Sequence, residues 1–494
     1  MFKNFCSTYC KVLTLLFLSS SFVYSQGISD ALRLGSSGLG ANARALGMGN
    51  AYIGLSDDAS AAYYNPAGFG LLKRLEFSGG LDYSNFNNEA TFFNNTTTYS
   101  NSTTRLNRLS FAFPFPTIQG SLVFGISYHV TNDFTGGLKF DGFNSGNNSF
   151  IQVLNQDTYY DYNGNPYNIP YDLRLTDTNL VTPINGNLNQ SGTILNTGST
   201  NNWTFSGAVE AVRNLFLGFN LNIISGSYNS NNDYYEDDTH NIYQGPIYTG
   251  DNPPPADFQY FYLNRILNWD ISGWSAKAGL IYQFNNYGRF GLTIQFPKYY
   301  TVKENFTVSG ESYFLNYINP FYLPQDYNSS VKYDVISPYE FGAGFSVNLQ
   351  GFIISAEGTA IDFSELKFDK PQNFSNPNDL LSVNKDIKDQ LRAVLNYNLG
   401  IEYTVPTVGL RLRTGYFVQP SPYKGDPSSF NRKYFTAGIG ILAQETLGLD
   451  LAWAHGWWNT IGDNYGPDVN GNVESRTYQD IKYDKIILTA TYRF

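Results

Sequence analysis

The chain has 494 residues, of which 42% are hydrophobic, 17% aromatic and only 15% charged, and its formal net charge is −10. Soluble domains carry about 25% charged residues, so the chain is poor in charge without being strongly hydrophobic. The acidic balance argues against nucleic acid as a partner, because phosphates require clustered Lys and Arg. With 3 His and 2 Cys, most zinc, haem and iron–sulfur sites are excluded, and we expect no cofactor.

Residues 1–25 have the pattern of a secretory signal peptide. Lys3 and Lys11 precede an apolar run, residues 12–23, which is shorter than the roughly 20 residues that a membrane-spanning helix needs. Small residues follow, and we predict cleavage after Ser25 rather than a buried N-terminal helix. Both cysteines lie in this segment, so the mature chain has no disulfide. Its removal also moves the net charge from −10 to −12.

Residues 26–73 do not alternate between polar and apolar positions, and they are dense in small residues. Small side chains allow backbones to approach closely. Arg44 and Asp58 stand among small and apolar neighbours and would need partners if buried. We therefore predict that residues 26–73 form a compact N-terminal hatch that plugs a larger structure.

Apolar residues recur at every second position through residues 74–494, which is the pattern of β-strands. The opposite face of each strand carries Gly, Ser, Thr, Asn and scattered charges. No later run of 18 apolar residues exists that would predict a transmembrane helix. An exported chain of this kind is periplasmic, secreted or an outer-membrane β-barrel.

The connections between the strands alternate in length. Short turns are predicted near residues 115–119, 213–214, 285–288, 350–351, 406–407 and 444–446. Long polar loops are predicted near residues 87–103, 132–199, 230–266, 302–332, 364–390, 420–431 and 459–477. Short turns at one end and long loops at the other are typical of outer-membrane barrels, whose strands span about 9–11 residues. We predict an all-β fold, in which residues 74–494 form a 14-stranded antiparallel transmembrane β-barrel around the hatch.

Several charged residues on the second face point into the predicted lumen. By parity these are Glu210, Lys277, Arg289, Glu357 and Arg413. With a two-residue turn at 406–407, Glu402 would pair with Arg411 on the neighbouring strand. We interpret these charges as structural groups that line a wet or plugged lumen rather than as substrate contacts.

The chain ends on Tyr492 and Phe494, in phase with the apolar face of the last strand. An aromatic terminus in this phase resembles the assembly signal of outer-membrane barrels, and an ordinary half-buried terminal strand is the alternative. The first interpretation predicts the barrel-assembly machinery as a partner during biogenesis. We also expect the protein to be a monomer that lies among the lipids of the bacterial outer membrane.

Three short motifs follow one another in the N-terminal residues. They are Arg44–Gly49 with Gly47 and Gly49, the acidic pair Asp57 and Asp58, and the run Asn65, Pro66, Ala67 and Gly68. In this order they resemble the hatch of the FadL-type outer-membrane transporters, which include the TodX-like hydrocarbon channels.

The resemblance implies uptake of a hydrophobic small-molecule ligand, such as a long-chain fatty acid or a hydrocarbon. In that family the ligand is captured outside and released sideways past the hatch, through a kinked third strand. Gly125 is the candidate for such a kink in this sequence. The same fold also serves as a non-transporting adaptor or structural component of a secretion system, which stays as the alternative function.

Catalysis has little support in the sequence. The histidines are His129, His240 and His455, and no Ser stands in a nucleophile-elbow context, so we expect no enzyme. The acidic run 233–240, which includes Asp237, allows calcium binding as an alternative. A solvated run of loop charges is the favoured interpretation.

Overall fold

The computed structural model describes residues 26–155, 159–160, 166–284, 287–324, 327–406, 408–444, 446–466 and 475–494. The predicted signal peptide lies outside these ranges. The strands form one antiparallel sheet that closes on itself, because the last strand pairs with the first, Arg493 opposite Glu76. When strands with a short internal break are counted once, the barrel has 14 strands. The predicted fold class is confirmed.

We number the barrel strands in chain order. Strands 1 to 7 are Glu76–Phe92, Asn95–Phe115, Leu122–Asp133 with Gly136–Asn144, Leu188–Val212, Leu215–Asp237, Phe258–Phe284, and Gly288–Gln295 with Tyr299–Phe314. Strands 8 to 14 are Ser329–Ile336 with Glu340–Leu349, Phe352–Asp362 with Lys367–Gln372, Ala393–Thr404, Leu410–Gln419, Arg432–Ala443, Leu447–Asp463 and Arg476–Arg493. Short strands at Phe321–Tyr322, Tyr159–Tyr160 and Pro166–Tyr167 lie in the connections.

The outward face of the barrel carries a band of exposed apolar side chains. On strand 5, Leu217, Phe219, Leu221 and Ile223 are each 41–52% exposed. Soluble proteins rarely expose such continuous apolar rows, so this band faces lipid, where backbone groups must pair within the protein. None of the helices in the described ranges is long and apolar enough to cross a membrane.

The N-terminal segment, residues 26–72, lies inside the barrel. It forms helices α1 (Ile28–Gly35) and α2 (Ala43–Gly47) and two 3-10 turns, Ala59–Ala62 and Pro66–Leu71. Helix α2 packs against strands 12 to 14, and the second 3-10 turn packs against strands 4 to 6. All residues from 41 to 70 are buried except Asp57 and Tyr63, which are half-buried.

The strands continue beyond the apolar band further than the sequence predicted. Strands 4, 5 and 6 have 25, 23 and 27 residues. The predicted long loop at 87–103 is wrong, because strands 1 and 2 run through it and meet at a turn of Phe93 and Asn94. Outside the lipid both faces of a strand tolerate polar side chains, so Asn- and Thr-rich sequence pairs there without apolar alternation.

Two hydrophobic cores fill the end of the barrel that carries the long connections, which we call the loop end. One core surrounds helix α3 (Phe150–Leu154), near which lies helix α4 (Ile169–Asp172), and includes Phe140, Tyr234 and Phe261. The other joins α1 of the N-terminal segment to helix α5 (Pro377–Gln390). The predicted loops at 132–199 and 364–390 therefore contain helices and strand ends that close this end of the barrel.

Candidate functional site

A partly open cavity lies inside the barrel, between the N-terminal segment and the inner faces of strands 3 to 11. Most of its lining is polar, and apolar side chains such as Ile224 and Phe417 are in the minority. Polar lining residues include Asn50, Tyr63, His129, Asn202, Asn222, Lys277, Glu340 and Glu357. A molecule bound here would need hydrogen-bonding groups as well as apolar surface, because buried polar groups lose free energy when they are left unpaired.

Basic side chains gather on the side of the lumen formed by strands 2 to 6. Lys277 donates to the carbonyl oxygen of Tyr63 at 2.7 Å, and the ring of His129 makes an edge contact with the ring of Tyr63. Arg108, which is 2% exposed, donates from Nη2 to Ser78 at 3.0 Å. Its Nε and Nη1 atoms have no hydrogen-bond partner among the described residues. Of these three basic residues, His129 and Lys277 line the cavity, whereas Arg108 is buried in the wall beside it.

The backbone ladder between strands 2 and 3 stops partway along the barrel wall, and its last pair is Arg108 with His129. Beyond this pair, strand 3 bulges between Val130 and Asn132 on its other side and breaks before Gly136. The rest of strand 3 pairs with strand 4, but in the described ranges it has no backbone pairing with strand 2. The wall is interrupted beside the cavity, which His129 and Asn132 also line.

Gly125, the predicted kink position, lies in the regular part of strand 3. It pairs with Ala112 on strand 2 and with Ser206 on strand 4. A Cβ at this position would lie 2.5 Å from the ring of Phe69 in the N-terminal segment. The structure thus places at Gly125 a close contact with the N-terminal segment, and the irregularity of the strand begins at Val130.

Arg44 connects the N-terminal segment to the barrel wall. It is 7% exposed, and its Nε and Nη2 atoms each donate at 2.9 Å to the carboxylate of Glu402 on strand 10. Its Nη1 donates at 2.5 Å to Asp57, which also accepts from Arg289 of strand 7 at 3.0 Å. Burial alone would raise the pKa of Asp57, but Arg44 and Arg289 hold this pKa below its usual range.

The predicted pair of Glu402 with Arg411 is wrong. Glu402 lies opposite Arg413, which donates to it from Nε at 2.6 Å, while Arg411 lies opposite Thr404. The connection between strands 10 and 11 spans residues 405–409 instead of two residues, which shifts the register by two. Three of the other inward charges contact the N-terminal segment, namely Lys277, Arg289 and Glu357.

Asp58 takes no part in the ion pairs of its neighbour. Its carboxylate accepts from the backbone N–H of Ser60 at 2.8 Å and thereby caps the first 3-10 turn. It also accepts from the hydroxyl of Tyr52 at 2.7 Å and the side-chain amide of Asn42 at 3.1 Å. The two acidic residues therefore have different roles. Asp57 pairs with Arg289 of the barrel wall, and Asp58 forms hydrogen bonds within the N-terminal segment.

The run from Asn65 to Gly68 begins the second 3-10 turn with Pro66 in its first position. Asn65 is fully buried, and its Oδ1 accepts from the N–H of Ala67 at 3.1 Å. Its Nδ2 donates to the carbonyl oxygens of Ile53 at 3.0 Å and of Leu280 in strand 6 at 3.1 Å. One side chain thus joins two parts of the N-terminal segment to the wall.

The glycines of the N-terminal motifs mark close approaches of backbone. A Cβ at Gly47 would lie 3.2 Å from Cα of Gly438 on strand 12, and one at Gly68 would lie 1.9 Å from the carbonyl oxygen of Ser56. Gly49 has a φ of +60° and would place a Cβ 2.5 Å from a carbonyl oxygen of strand 10. Side chains at these positions are incompatible with the observed packing.

Tyr492 and Phe494 lie at the end of the barrel with the short turns, which we call the turn end. Both are exposed, and their rings are in edge contact at 4.7 Å between centroids. The backbone N–H of Phe494 donates to the carbonyl oxygen of Leu75, just before strand 1. The C-terminal residues therefore lie where strand 14 pairs with strand 1 to close the barrel, and their aromatic side chains point outward.

The acidic run at 233–240 comprises the end of strand 5 and the three residues after it, beyond the apolar band. In the described part of the chain, no group of three His, Cys, Asp or Glu side chains is placed to hold a metal ion. Asp238 accepts from the backbone N–H of Tyr243 at 2.7 Å. Glu236 is fully buried and accepts from the N–H of Phe150 at 2.7 Å and from Gln190 at 2.8 Å. These carboxylates therefore organise the loop end through hydrogen bonds.

Glu236 makes the loop end sensitive to pH. Burial, opposed by hydrogen bonds from Phe150 and Tyr234, raises its pKa from 4.5 to about 7. The contribution of the protonated group to stability is therefore complete below pH 4.5 and is lost as the pH rises through 7. We expect hydrogen-exchange protection of helix α3, corrected for intrinsic exchange, to fall between pH 5 and pH 8. Glu236→Gln should remove this dependence and the exposed Glu89→Gln should leave it; a flat wild-type profile would contradict the assignment.

Three charged residues beside the interrupted wall were not predicted from the sequence, namely Arg105, Arg108 and Asp133. One signal was available, because Arg105 and Arg108 are the charged residues of strand 2 in a sequence otherwise made of polar and apolar neutral residues. The position of Asp133 gave no such signal, since the bulge that turns it toward the lumen has no local sequence pattern that predicts it.

No protein-family model matches the sequence, and no curated protein is similar to it. Solved structures with the same architecture are nevertheless found. A FadL homologue of Pseudomonas aeruginosa matches with a TM-score of 0.55 and 13% identity over 93% of this chain and 99% of the homologue. The toluene transporter TodX of P. putida matches with a TM-score of 0.54 and 12% identity, over 92% and 99% of the two chains. The predicted resemblance to FadL and TodX is confirmed at the level of the fold.

Proposed function

We propose that this protein is an outer-membrane channel that takes up hydrophobic compounds and releases them sideways into the membrane. The observation that carries the proposal is the interrupted ladder between strands 2 and 3, which lies beside the internal cavity. The N-terminal segment serves as the hatch on the turn side of the cavity, and the two hydrophobic cores cover its loop side. The similar solved barrels include a toluene transporter and a monoaromatic hydrocarbon channel.

The chemistry of the cavity favours an amphiphile over a plain hydrocarbon as the ligand. Burial of an alkyl chain contributes about 0.8 kcal/mol for each CH₂ group, but most of the lining here is polar. The ammonium group of Lys277, which lines the cavity, suits an acidic head group. A long-chain fatty acid combines both features and is the ligand class that we propose.

The biogenesis that goes with this function is also part of the proposal. A signal peptide cleaved after Ser25 directs export, and the C-terminal Tyr492 and Phe494 are read by the barrel-assembly machinery. The monomer then lies among outer-membrane lipids, with its loop end outside the cell. This orientation follows from the lengths of the connections, because barrels of this class place short turns in the periplasm.

Uptake by whole cells tests the function. Cells with and without the gene are given a labelled long-chain fatty acid or a labelled alkane, and accumulation is measured. We expect the gene to increase uptake of the acid, and Lys277→Met to reduce this increase more for the acid than for the alkane. Lys370→Met, at an exposed position of the loop end, is the matched control. Equal uptake with and without the gene would overturn the proposal.

The adaptor function is the second candidate, and the two loop-end cores are the observation that favours it. They bury large side chains such as Trp269 and Phe261 across the barrel mouth, where a channel needs an entrance. If the gene has no effect on uptake and secretion subunits purify with the protein, this second candidate replaces the first.

A further inference from the structure

The interrupted wall between strands 2 and 3 is bridged by side chains where the backbone ladder ends. Past the last backbone pair, Arg105 of strand 2 forms an ion pair with Asp133 at the end of the first half of strand 3. In the described part of the chain, no other ion pair joins these two strands. We call the wall between residues 95–107 and 130–144 the seam.

The ion pair belongs to a chain of charges that continues away from the seam through well-paired strands. Arg105 also donates from Nε to Asp82 of strand 1 at 3.2 Å. Asp82 in turn accepts from Lys485 of strand 14 at 2.6 Å. On the other side, Asp133 accepts from the hydroxyl of Tyr483 at 3.0 Å. Arg105 is thus anchored to a continuous part of the sheet, and Asp133 connects strand 3 both to Arg105 and to Tyr483 of strand 14.

The remaining bridges across the seam are weaker. Asn95 donates to the carbonyl oxygen of Asp141 at 2.9 Å and Thr97 contacts the carbonyl oxygen of Lys139, both at exposed positions. The side chains of Arg105 and Asp133 are only 17% and 11% exposed. Solvent weakens exposed contacts of charged and polar groups, so the less exposed ion pair should contribute more than these two contacts.

We propose that Arg105 and Asp133 form a reversible latch that holds the seam closed. Opening the seam requires no backbone ladder to break, because the ladder has already ended. It requires the ion pair, the exposed contacts, the hydrogen bond from Asn88 to the carbonyl oxygen of Gly137, and the packing of Phe92 against Phe140 to separate. The inference rests on the proposed function in one respect, namely that the lateral exit is the end of the seam next to Arg108 and His129, where the apolar band begins at Leu106. As a statement about the wall itself, it is independent of what the protein carries.

Asp133→Asn is the variant that tests the latch with the least disturbance. Asparagine keeps an Oδ1 that can accept from the N–H of Thr135, as Asp133 does at 3.0 Å, and Arg105 keeps Asp82 as its partner. Spin labels at Thr104→Cys and Lys139→Cys place one probe on each side of the seam, and the mature chain has no other cysteine. Distances are measured by dipolar electron paramagnetic resonance on the full mature barrel in lipid nanodiscs.

The expected result is a second, longer distance population in Asp133→Asn that is small or absent in the wild type. The matched control is Asp463→Asn, which removes the Arg476 partner across strands 13 and 14, where the backbone ladder is continuous. Labels at Asn459→Cys and Tyr478→Cys should report no change there. Arg105→Gln is the second variant and should reproduce the longer population.

Unchanged seam distances in both Asp133→Asn and Arg105→Gln would overturn the latch, whatever the transport data show. Fatty-acid uptake is measured in parallel, and we expect Asp133→Asn to increase its rate. A longer seam distance without any gene-dependent uptake would leave the latch standing and reject the proposed transport. Unchanged distances with normal uptake would reject the latch and leave the transport function standing.

Discussion

Glu402→Gln is expected to lower the free energy of unfolding by up to about 3–5 kcal/mol, which is the usual cost of removing one partner of a buried ion pair. The upper limit applies because Arg44 keeps Asp57 and Arg413 keeps Asp450 as partners. Glu402 is 1% exposed and accepts from both Arg44 and Arg413. Glutamine would leave two buried guanidinium groups around a neutral side chain. Denaturant unfolding of the barrel refolded in detergent micelles measures the change, and the transition should move to lower denaturant.

The control for this prediction is Asp463→Asn, which removes an ion pair about one-third exposed. Pairs of that kind contribute about 0–1 kcal/mol. A double-mutant cycle of Arg44→Gln and Glu402→Gln should give a combined loss smaller than the sum of the single losses, because each variant removes the same contact. If Glu402→Gln unfolds within the range of the control, the ion pairs do not hold the N-terminal segment to the wall.

The number of barrel strands was predictable because the lipid imposes a simple rule on each of them. A strand such as Leu215–Asp237 shows alternation only where lipid lies on one side, at Leu217 to Ile223. Beyond this stretch, the sequence of the same strand is polar without alternation and therefore predicts a loop. Strand number was therefore predicted correctly while strand length was not, and the hairpin of strands 1 and 2 was mistaken for a long loop.

The contacts of the candidate site were less predictable, because they join residues far apart in sequence. That Arg44 needs a partner followed from its small and apolar neighbours, but Glu402 lies more than 300 positions away. The pairing of Glu402 with Arg413 depends on a connection of five residues, and the two-residue turn inferred from Pro406 gave the wrong register. The end of the ladder at His129 had no local marker, since the glycine at 125 marks a packing contact instead.

The wall and the N-terminal segment fit together through glycines on both sides. Gly400 and Gly415 of strands 10 and 11 would place a Cβ at 2.1 Å and 2.2 Å from backbone atoms of Met48 and Gly49. Glycine in a strand weakens the sheet, so its presence here is explained by the segment that lies against it. The glycine content that sequence analysis noted throughout the strands thus follows, in part, from the plugged lumen.

Gly49→Val is therefore expected to displace the N-terminal segment while leaving the barrel folded. Valine would put its Cβ 2.5 Å from the carbonyl oxygen of Leu399 and 2.8 Å from the backbone nitrogen of Tyr416. The backbone φ of +60° at position 49 adds roughly 1–2 kcal/mol of strain for a residue with a side chain. If the N-terminal segment no longer packs against strands 10 and 11, the lumen opens. We then expect a higher single-channel conductance in planar lipid bilayers than the wild type has.

Gly245→Val is the matched control, because a Cβ at that position meets nothing within 4 Å. Its conductance should equal that of the wild type. Gly415→Val, which introduces the collision from the wall side, should reproduce the effect of Gly49→Val. Far-ultraviolet circular dichroism distinguishes a displaced segment from a misfolded barrel, since most of the strand signal comes from the wall. Wild-type conductance in both Gly49→Val and Gly415→Val, with strand content unchanged, would show that this contact does not keep the lumen closed.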